Sequence, residues 1–309
     1  MILDLPATTT SKINRSLVDL RASGGAVALG RVLTLVVLTP SAGAEDAIAA
    51  ATDASREHPM RVLVVVSEDA SGDTGLDAQI RVGGDAGAGE IVVLRLAGEL
   101  SDQGASVVVP LLLPDAPIVA WWPGQAPDDI SEDPIGRLAQ RRITDAAGCD
   151  DPQGALRTRS RHHTDGDTDM AWTRTTRWRA LLAAALDLPP QQPVTSAVVR
   201  GAADSPSTDL LAAWLHARLD CPVEREVAGE HGMHSVELVR DAGRIVLSRP
   251  EGAQAVLSQP GEPDHRLGLP RRSVAECLAE ELRRLDPDVT YSEVVRSLLD
   301  HEGPAGAAA

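Results

Sequence analysis

The chain has 309 residues, of which 43% are hydrophobic, and a formal net charge of −16 at pH 7. This length favours two domains, and the hydrophobic fraction is large enough for a sizeable core. The acidic balance argues against nucleic acid or an anionic membrane surface as a partner, because both demand a basic protein face.

Three further patterns narrow the class of protein. No run of apolar residues approaches the length of a membrane span, and the start of the chain lacks the basic segment of a signal peptide. The three cysteines, Cys149, Cys221 and Cys277, are far apart and form no CxxC pair. Such scattered thiols are typical of a reducing cytoplasm, so we expect a cytoplasmic protein without disulfides.

The N-terminal half predicts alternating helices and strands. Helical spacing of apolar residues indicates a helix over 8–22, stopped by Gly24–Gly25, and an apolar run indicates a buried strand over 31–39. A helix over 44–57 and a second apolar strand over 61–67 follow. This β-α-β order favours a parallel strand pair with a crossover helix.

The rest of that half predicts shorter elements. Strands are expected at 79–82, 90–96, 118–122 and 141–144, and helices at 133–140 and 152–162. Periodicity leaves 100–113 open between helix and strand. The polar stretch 163–168, HTDGDT, is a candidate linker.

The C-terminal half predicts a second unit. A helix over 178–188 is followed by a strand at 194–200 and by a helix that Ser205 caps and Pro206 opens. Short antiparallel strands are expected at 223–227, 235–239, 244–248, 253–258 and 265–269. Two helices close the chain, with capping boxes at Ser273/Glu276 and Thr290/Glu293.

These elements predict an α/β protein that becomes α+β in its C-terminal part. We expect an N-terminal domain at 1–168 with a mixed sheet and helices, a smaller antiparallel-rich α+β domain at 169–302, and a disordered tail at 303–309.

Tryptophan and arginine mark the candidate site. The chain has no Phe, one Tyr and five Trp, yet Trp121 and Trp122 are adjacent. Neighbouring side chains on a strand point to opposite faces, so one indole can enter the core while the other is offered elsewhere. Arg141 and Arg142 follow. They belong to a segment, 137–179, with nine Arg against six Asp, an excess of 9 − 6 = +3.

That segment also holds Trp172 and Trp178. One interpretation is a solvated, salt-bridged surface; the other is an anion-receptive or partner-binding face, where Trp and Arg are overrepresented. No catalytic constellation or metal-ligand spacing stands out. The glycine-rich 83–89 lacks GxGxxG and leads into a strand, which favours a plain turn over a phosphate loop. We therefore predict no cofactor, no metal and no catalytic residues.

Several long segments resemble one family. They are VVVPLLLPDAPIVAWWPG, DPIGRLAQRRITDA, GDTDMAWTRTTRWRALLAAALD and GAADSPSTDLLAAWL, with the opening TTTSKINRSLVDLRASGGAVALGRVLTLVV and ASREHPMRVLVVV. Together they are similar to the actinobacterial form of the OpcA family of glucose-6-phosphate dehydrogenase assembly proteins, over residues 1 to about 300.

The resemblance implies a cytoplasmic, non-catalytic partner that assists the assembly of glucose-6-phosphate dehydrogenase, the NADP-reducing enzyme of the oxidative pentose phosphate pathway, or activates it allosterically. On that basis Trp121, Trp122, Arg141, Arg142, Trp172 and Trp178 are predicted to contact the partner or to shape its site. Two alternatives stay open: an enzyme that acts on a sugar phosphate or nucleotide, and a sensor that binds such a molecule through the Arg/Trp-rich segment.

Overall fold

The computed structural model describes residues 1–23, 32–83, 89–189, 191–250 and 252–302. The turn predicted at 83–89, the Gly24–Gly25 helix stop and the tail at 303–309 lie largely or wholly outside these residues. The first ten regular elements are β1 (Ile2–Leu5), α1 (Thr10–Ser23), β2 (Leu33–Pro40), α2 (Ala44–Ala54), β3 (Met60–Ser67), β4 (Gly75–Val82), β5 (Glu90–Ala97), α3 (Gly104–Val108), β6 (Ile118–Trp122) and β7 (Arg141–Thr144).

The remaining elements complete two sheets. They are α4 (Pro152–Arg161), β8 (Asp167–Asp169), α5 (Met170–Thr173), α6 (Thr176–Asp187), β9 (Ser196–Gly201), α7 (Pro206–Leu219), β10 (Val223–Val227), β11 (Met233–Arg240), β12 (Gly243–Ser248), β13 (Gln254–Ser258), β14 (His265–Gly268), α8 (Val274–Glu281) and α9 (Val289–Glu302).

The chain divides into two compact units. Unit 1 holds Met1–Asp145, Gly166–Thr168 and Val274–Pro287, and unit 2 holds Ala146–Asp165, Asp169–Ser273 and the chain from Asp288. The predicted α/β class with two parts and an antiparallel-rich C-terminal portion is confirmed. The domain limits at 168 and 302 stay a prediction.

Unit 1 is built on an eight-stranded sheet in the order β1-β4-β5-β3-β2-β6-β7-β8. Strands β5, β3, β2, β6 and β7 are parallel. At one edge β4 pairs antiparallel with β5, and β1 pairs antiparallel with β4. Strands β2 and β3 are apolar on almost every residue because both faces are buried. Numbered along the chain, the parallel strands have the doubly wound order 3-2-1-4-5, which reverses between β2 and β6.

Unit 2 is built on a six-stranded sheet in the order β10-β9-β11-β12-β13-β14. Its strands alternate in burial, and the inward residues, such as Val236, Leu238 and Leu247, pack in one core with Trp178 and Leu182 of α6 and with α7. A second core of unit 2 gathers Trp172, Leu210, Tyr291 and neighbouring apolar side chains.

Strand β10 corrects one prediction. We expected it to be antiparallel, but it pairs in parallel with β9, from Val223 opposite Ala197 to Val227 opposite Gly201. The reason is the connection: α7 lies between the two strands in sequence and forms a β-α-β crossover, which returns the chain in the same direction.

Two local predictions are wrong for related reasons. The helix expected at 133–140 is only a 3-10 turn, Gly136–Leu138, because the Asp133 carboxylate accepts hydrogen bonds from the main-chain N–H groups of Ile135 and Gly136 and makes a tight turn. The capping box predicted at Thr290 and Glu293 does not begin the helix. Helix α9 begins at Val289, and the Asp288 carboxylate oxygen Oδ1 accepts a hydrogen bond from the main-chain N–H of Tyr291.

Only the first half of the stretch 163–168 is solvated: Thr164 and Asp165 are exposed. Asp167 and Thr168 are buried in strand β8, and Gly166 has a φ of +92°. A Cβ at Gly166 would lie 2.6 Å from the Gln140 carbonyl oxygen, so only glycine fits this close approach. The polar composition of the stretch predicts exposure, but Asp167 is buried because its carboxylate forms an ion pair with Arg142.

Candidate partner-binding site

The four predicted site residues of unit 1 lie on adjacent strands. Strand β6 carries Trp121 and Trp122, and the neighbouring β7 carries Arg141 and Arg142. The register places Trp121 on the face that holds Arg141, and Trp122 on the face that holds Arg142. Both faces of this sheet are covered, so both indoles are buried, at 0% and 2% exposure. Neither indole is offered to solvent.

Each indole has its own surroundings. Trp122 packs in the main apolar core of unit 1 with Ala120, Val36 and Ile135. Trp121 is fully buried, and its Nε1 has no hydrogen-bond acceptor among the residues that the structure describes. A buried N–H without an acceptor costs free energy, so packing of the large ring must outweigh that cost.

Arg141 and Arg142 make buried ion pairs within unit 1. Arg141 Nη2 donates to the Glu281 carboxylate of α8, and Nη1 donates to the Asp286 carbonyl oxygen at 2.9 Å. Arg142 Nε donates to the Asp167 carboxylate, and Nη1 donates to the Ala139 carbonyl oxygen at 3.0 Å. These bonds tie α8 and the 166–168 segment to strand β7.

The two predicted residues of unit 2 lie in separate cores. Trp172, on α5, donates from Nε1 to Asp288 Oδ2 at 2.8 Å, and the Arg179 guanidinium lies 3.5 Å from its ring centre, a cation–π contact. Trp178, on α6, lies in the core beneath the six-stranded sheet, with the Arg249 guanidinium 5.3 Å from its ring centre. Both rings are buried.

The structure thus places all six predicted residues in the interior. Their partner-contact role stays a prediction that nothing in the structure tests. The sequence did not single out Glu281 and Asp288, and it gave Asp167 and Arg179 no role in holding buried residues. Most of these partners are distant in sequence from the residues that they contact. The one available signal was that a buried arginine on β7 needs a carboxylate to pair with.

A different surface of unit 2 is accessible. The side of its sheet opposite the core, here called the open face, alternates valines with charged residues. The open face includes Val198, Arg200, Glu226, Glu237, Arg244, Val246 and Val256, with the exposed Glu224 opposite Val198 and the exposed Arg266 opposite Val256. Most of these side chains are half-exposed.

Four charged residues on the open face form one network. Arg200 Nη1 donates to Glu237 Oε2 at 3.2 Å, Arg200 Nε donates to Glu226, and Arg244 donates to the other oxygen of Glu237. The hydrogen bond to Glu226 raises the pKa of Arg200 above its ordinary value, so Arg200 stays cationic at neutral pH. Beside the network, Val198, Val246 and Val256 offer apolar area.

Two absences concern the described part of the chain. No group of three or more His, Cys, Asp or Glu side chains there could hold a metal ion. None of its helices has the length and apolar character needed to cross a membrane.

Solved structures resemble the fold at low sequence identity. An oxidoreductase from Sinorhizobium meliloti matches with a TM-score of 0.51 and 10% identity, covering 88% of this chain and 96% of its own. An oxidoreductase from Pseudomonas syringae matches with a TM-score of 0.43 and 11% identity, covering 89% and 96%. At such identities the first likeness indicates a shared fold alone. No curated protein matches the chain.

Two family models match consecutive parts of the chain. The first, described as the N-terminal domain of the glucose-6-phosphate dehydrogenase subunit, matches residues 51–161. The second, described as the C-terminal domain of the same protein, matches residues 165–295. Together they span most of the sequence, in the expected order, and so the chain belongs to the OpcA family of glucose-6-phosphate dehydrogenase subunits.

Proposed function

We propose that this chain binds a glucose-6-phosphate dehydrogenase and assists its assembly or raises its activity. The observation that carries the proposal is the pair of family models, which match residues of both units and are described as domains of a subunit of that enzyme. A subunit that raises activity must bind the active state more tightly than the inactive one. A tenfold shift requires about 1.4 kcal/mol of differential affinity.

A non-catalytic role is supported by the place where a dinucleotide would bind. In doubly wound folds the pyrophosphate lies at the N-terminus of the helix after the first parallel strand, on a glycine-rich turn. Here that strand is β2, and the turn Ser41–Gly43 lacks the glycine pattern. Helix α2 then begins with Glu45 and Asp46 in its first turn. Two carboxylates at this position repel a pyrophosphate, which favours a binding role over hydride transfer.

The open face is the docking surface that we propose for the dehydrogenase. Strands of unit 2 present it as a surface on which valines lie beside a network of ion pairs. A partner that covers the valines therefore gains apolar contact next to charges that are already paired, which lowers the cost of burying them.

The six buried Trp and Arg residues act, in this proposal, by positioning surfaces rather than by direct contact. Arg141 holds α8 through Glu281, and Trp172 holds the start of α9 through Asp288. Substituting these residues is expected to weaken partner binding through displacement of the elements that they hold.

The test is a titration of the full chain into the purified dehydrogenase of the same organism. We expect a change in the oligomer size of the enzyme, measured by analytical ultracentrifugation, or in its turnover or substrate affinity. An enzyme whose size, turnover and substrate affinity all stay constant would refute the proposal. Turnover of glucose 6-phosphate by the isolated chain would refute its non-catalytic part.

A further inference from the structure

A cavity of about 180 Å³ in unit 2 is lined by arginine. The arginines come from three distant parts of the chain and are Arg174, Arg177, Arg249, Arg271 and Arg272. No Asp or Glu lies among the described residues that line the cavity. In a chain with a net charge of −16, such a local excess of positive charge favours an anionic ligand.

Arg249 is a buried residue of the cavity wall. Its side chain is held by two main-chain acceptors: Nη1 donates to the Leu269 carbonyl oxygen and Nη2 to the Met233 carbonyl oxygen, each at 3.1 Å. The residue is only 7% exposed, and the described part of the chain gives it no carboxylate partner. The guanidinium is therefore fixed in place without a counter-charge.

Burial has a measurable consequence for Arg249. Desolvation, together with the charge of the nearby Arg271, lowers the pKa of Arg249 to about 10. The side chain is still cationic at neutral pH, so the folded protein maintains a buried charge that nothing among its described acids neutralises. A bound anion would offset that unfavourable charge.

Arg177 and Arg271 supply exposed cations around the same cavity. Arg271 donates from Nη2 to the His231 carbonyl oxygen at 2.6 Å, and Arg177 is exposed on α6. Within the described residues neither is paired with a carboxylate. The remaining wall includes Trp178, Met233 and Leu269, which are apolar and buried.

We propose that this cavity binds the phosphate group of a small phosphomonoester. Guanidinium groups match phosphate oxygens with paired N–H donors, and five arginines line this cavity. The cavity has the volume of about six water molecules at ~30 Å³ each, which suits a phosphate with a compact organic part. The apolar wall beside Arg249 is the surface for that organic part. The inference goes beyond the binding of a dehydrogenase and does not depend on it.

The test is isothermal titration calorimetry of the full chain, at constant ionic strength in chloride. Inorganic phosphate and glycerol 3-phosphate are the probes, and glycerol is the uncharged comparison. We expect saturable binding of both phosphates, tighter for the ester, and no binding of glycerol. Arg249→Met is expected to raise the dissociation constant at least tenfold. The matched control is Arg266→Gln, which removes one exposed positive charge of β14 outside the cavity lining.

Two substitutions of exposed arginines in the cavity wall provide the test if Arg249→Met does not fold. Arg177→Gln and Arg271→Gln are each expected to weaken phosphate binding about threefold to tenfold, which matches the net contribution of one solvent-exposed hydrogen bond. Absence of saturable phosphate binding, or binding that all three variants leave unchanged, would overturn the proposal. Binding of inorganic phosphate with equal or weaker binding of the ester would overturn the phosphomonoester assignment.

Discussion

The two sheets of this protein differ in how many of their faces are covered. In unit 1, nearly every residue of strands β2 and β3 is buried. Trp121 and Trp122 of β6 are also buried, on opposite faces of the sheet. In unit 2, alternate residues are buried, and the open face keeps Val246 and Val256 half-exposed. In a sheet that is covered on both sides, aromatic side chains are buried whichever face they point to. A sheet with one accessible side can instead present that side as a surface to a partner.

The comparison also shows that the type of a residue does not decide whether it lies at an accessible surface. Tryptophan and arginine are common hot spots of interfaces, yet here Trp122 and Arg142 are interior residues of unit 1. Valine and paired charges, which are less conspicuous in a sequence, form the accessible surface of unit 2. Four predictions test this contrast.

The largest effect is expected from Trp122→Ala. Removing the indole from the core of unit 1 leaves a cavity and should lower the free energy of unfolding by about 4 kcal/mol. Urea denaturation followed by circular dichroism measures it. A loss below about 1 kcal/mol would mean that the covered sheet is not packed as described.

Glu281→Ala should have the next largest effect. The substitution leaves Arg141 buried without its carboxylate, which we expect to cost about 3 kcal/mol. The exposed pair Arg283–Glu57 provides the control, because solvent screens it and Glu57→Ala on the same unit should leave the free energy of unfolding almost unchanged. Equal effects of the two substitutions in urea denaturation would contradict the difference in burial.

Val256→Ala on the open face should change the free energy of unfolding by only about 0.5 kcal/mol, since the side chain is already half-exposed. Leu257→Ala, one residue along the same strand and directed into the core, should cost about 2 to 3 kcal/mol. Thermal and urea denaturation of the two variants compares the sides of one sheet directly. Similar losses would show that the open face is packed like the interior.

The last prediction concerns the rate of thiol labelling, which reports the burial of a cysteine in each unit without a mutation. Cys277 of unit 1 and Cys221 of unit 2 are buried, and desolvation raises the pKa of the Cys221 thiol. Because the thiolate is the reactive form, both should react slowly with iodoacetamide at about pH 8, and the partly exposed Cys149 should react first. Mass spectrometry of labelled peptides identifies the site. Fast labelling of Cys221 in the native protein would contradict its burial.

Local patterns in the sequence predicted much of the fold. The apolar runs of β2 and β3 and the intervening helix indicated a parallel pair, and the alternating strands after Val223 indicated an antiparallel-rich second part. Ser205 does precede α7 with Pro206 at its first position, although its hydroxyl accepts a bond from Thr208 Oγ1 and makes no side-chain bond to the main chain. These features depend on residues that are close in sequence.

Features that depend on distant residues were not predictable. The burial of Asp167 requires Arg142, and the start of α9 requires Asp288 rather than Thr290. Strand β1 was missed because four residues are too few for a pattern. The arginine cavity joins residues near α6, after β12 and after β14, so no short motif could have predicted it.

The most direct test of the account compares two variants in their affinity for the dehydrogenase. Val246→Arg places a bulky charge at the centre of the open face, and Leu188→Arg makes the same kind of change at an exposed position, 51% accessible, at the end of α6. Both affinities are measured by biolayer interferometry against the immobilised enzyme, beside the wild-type chain. We predict at least tenfold weaker binding for Val246→Arg and wild-type binding for Leu188→Arg. Wild-type binding by Val246→Arg, or an equal loss in both variants, would contradict docking through the open face.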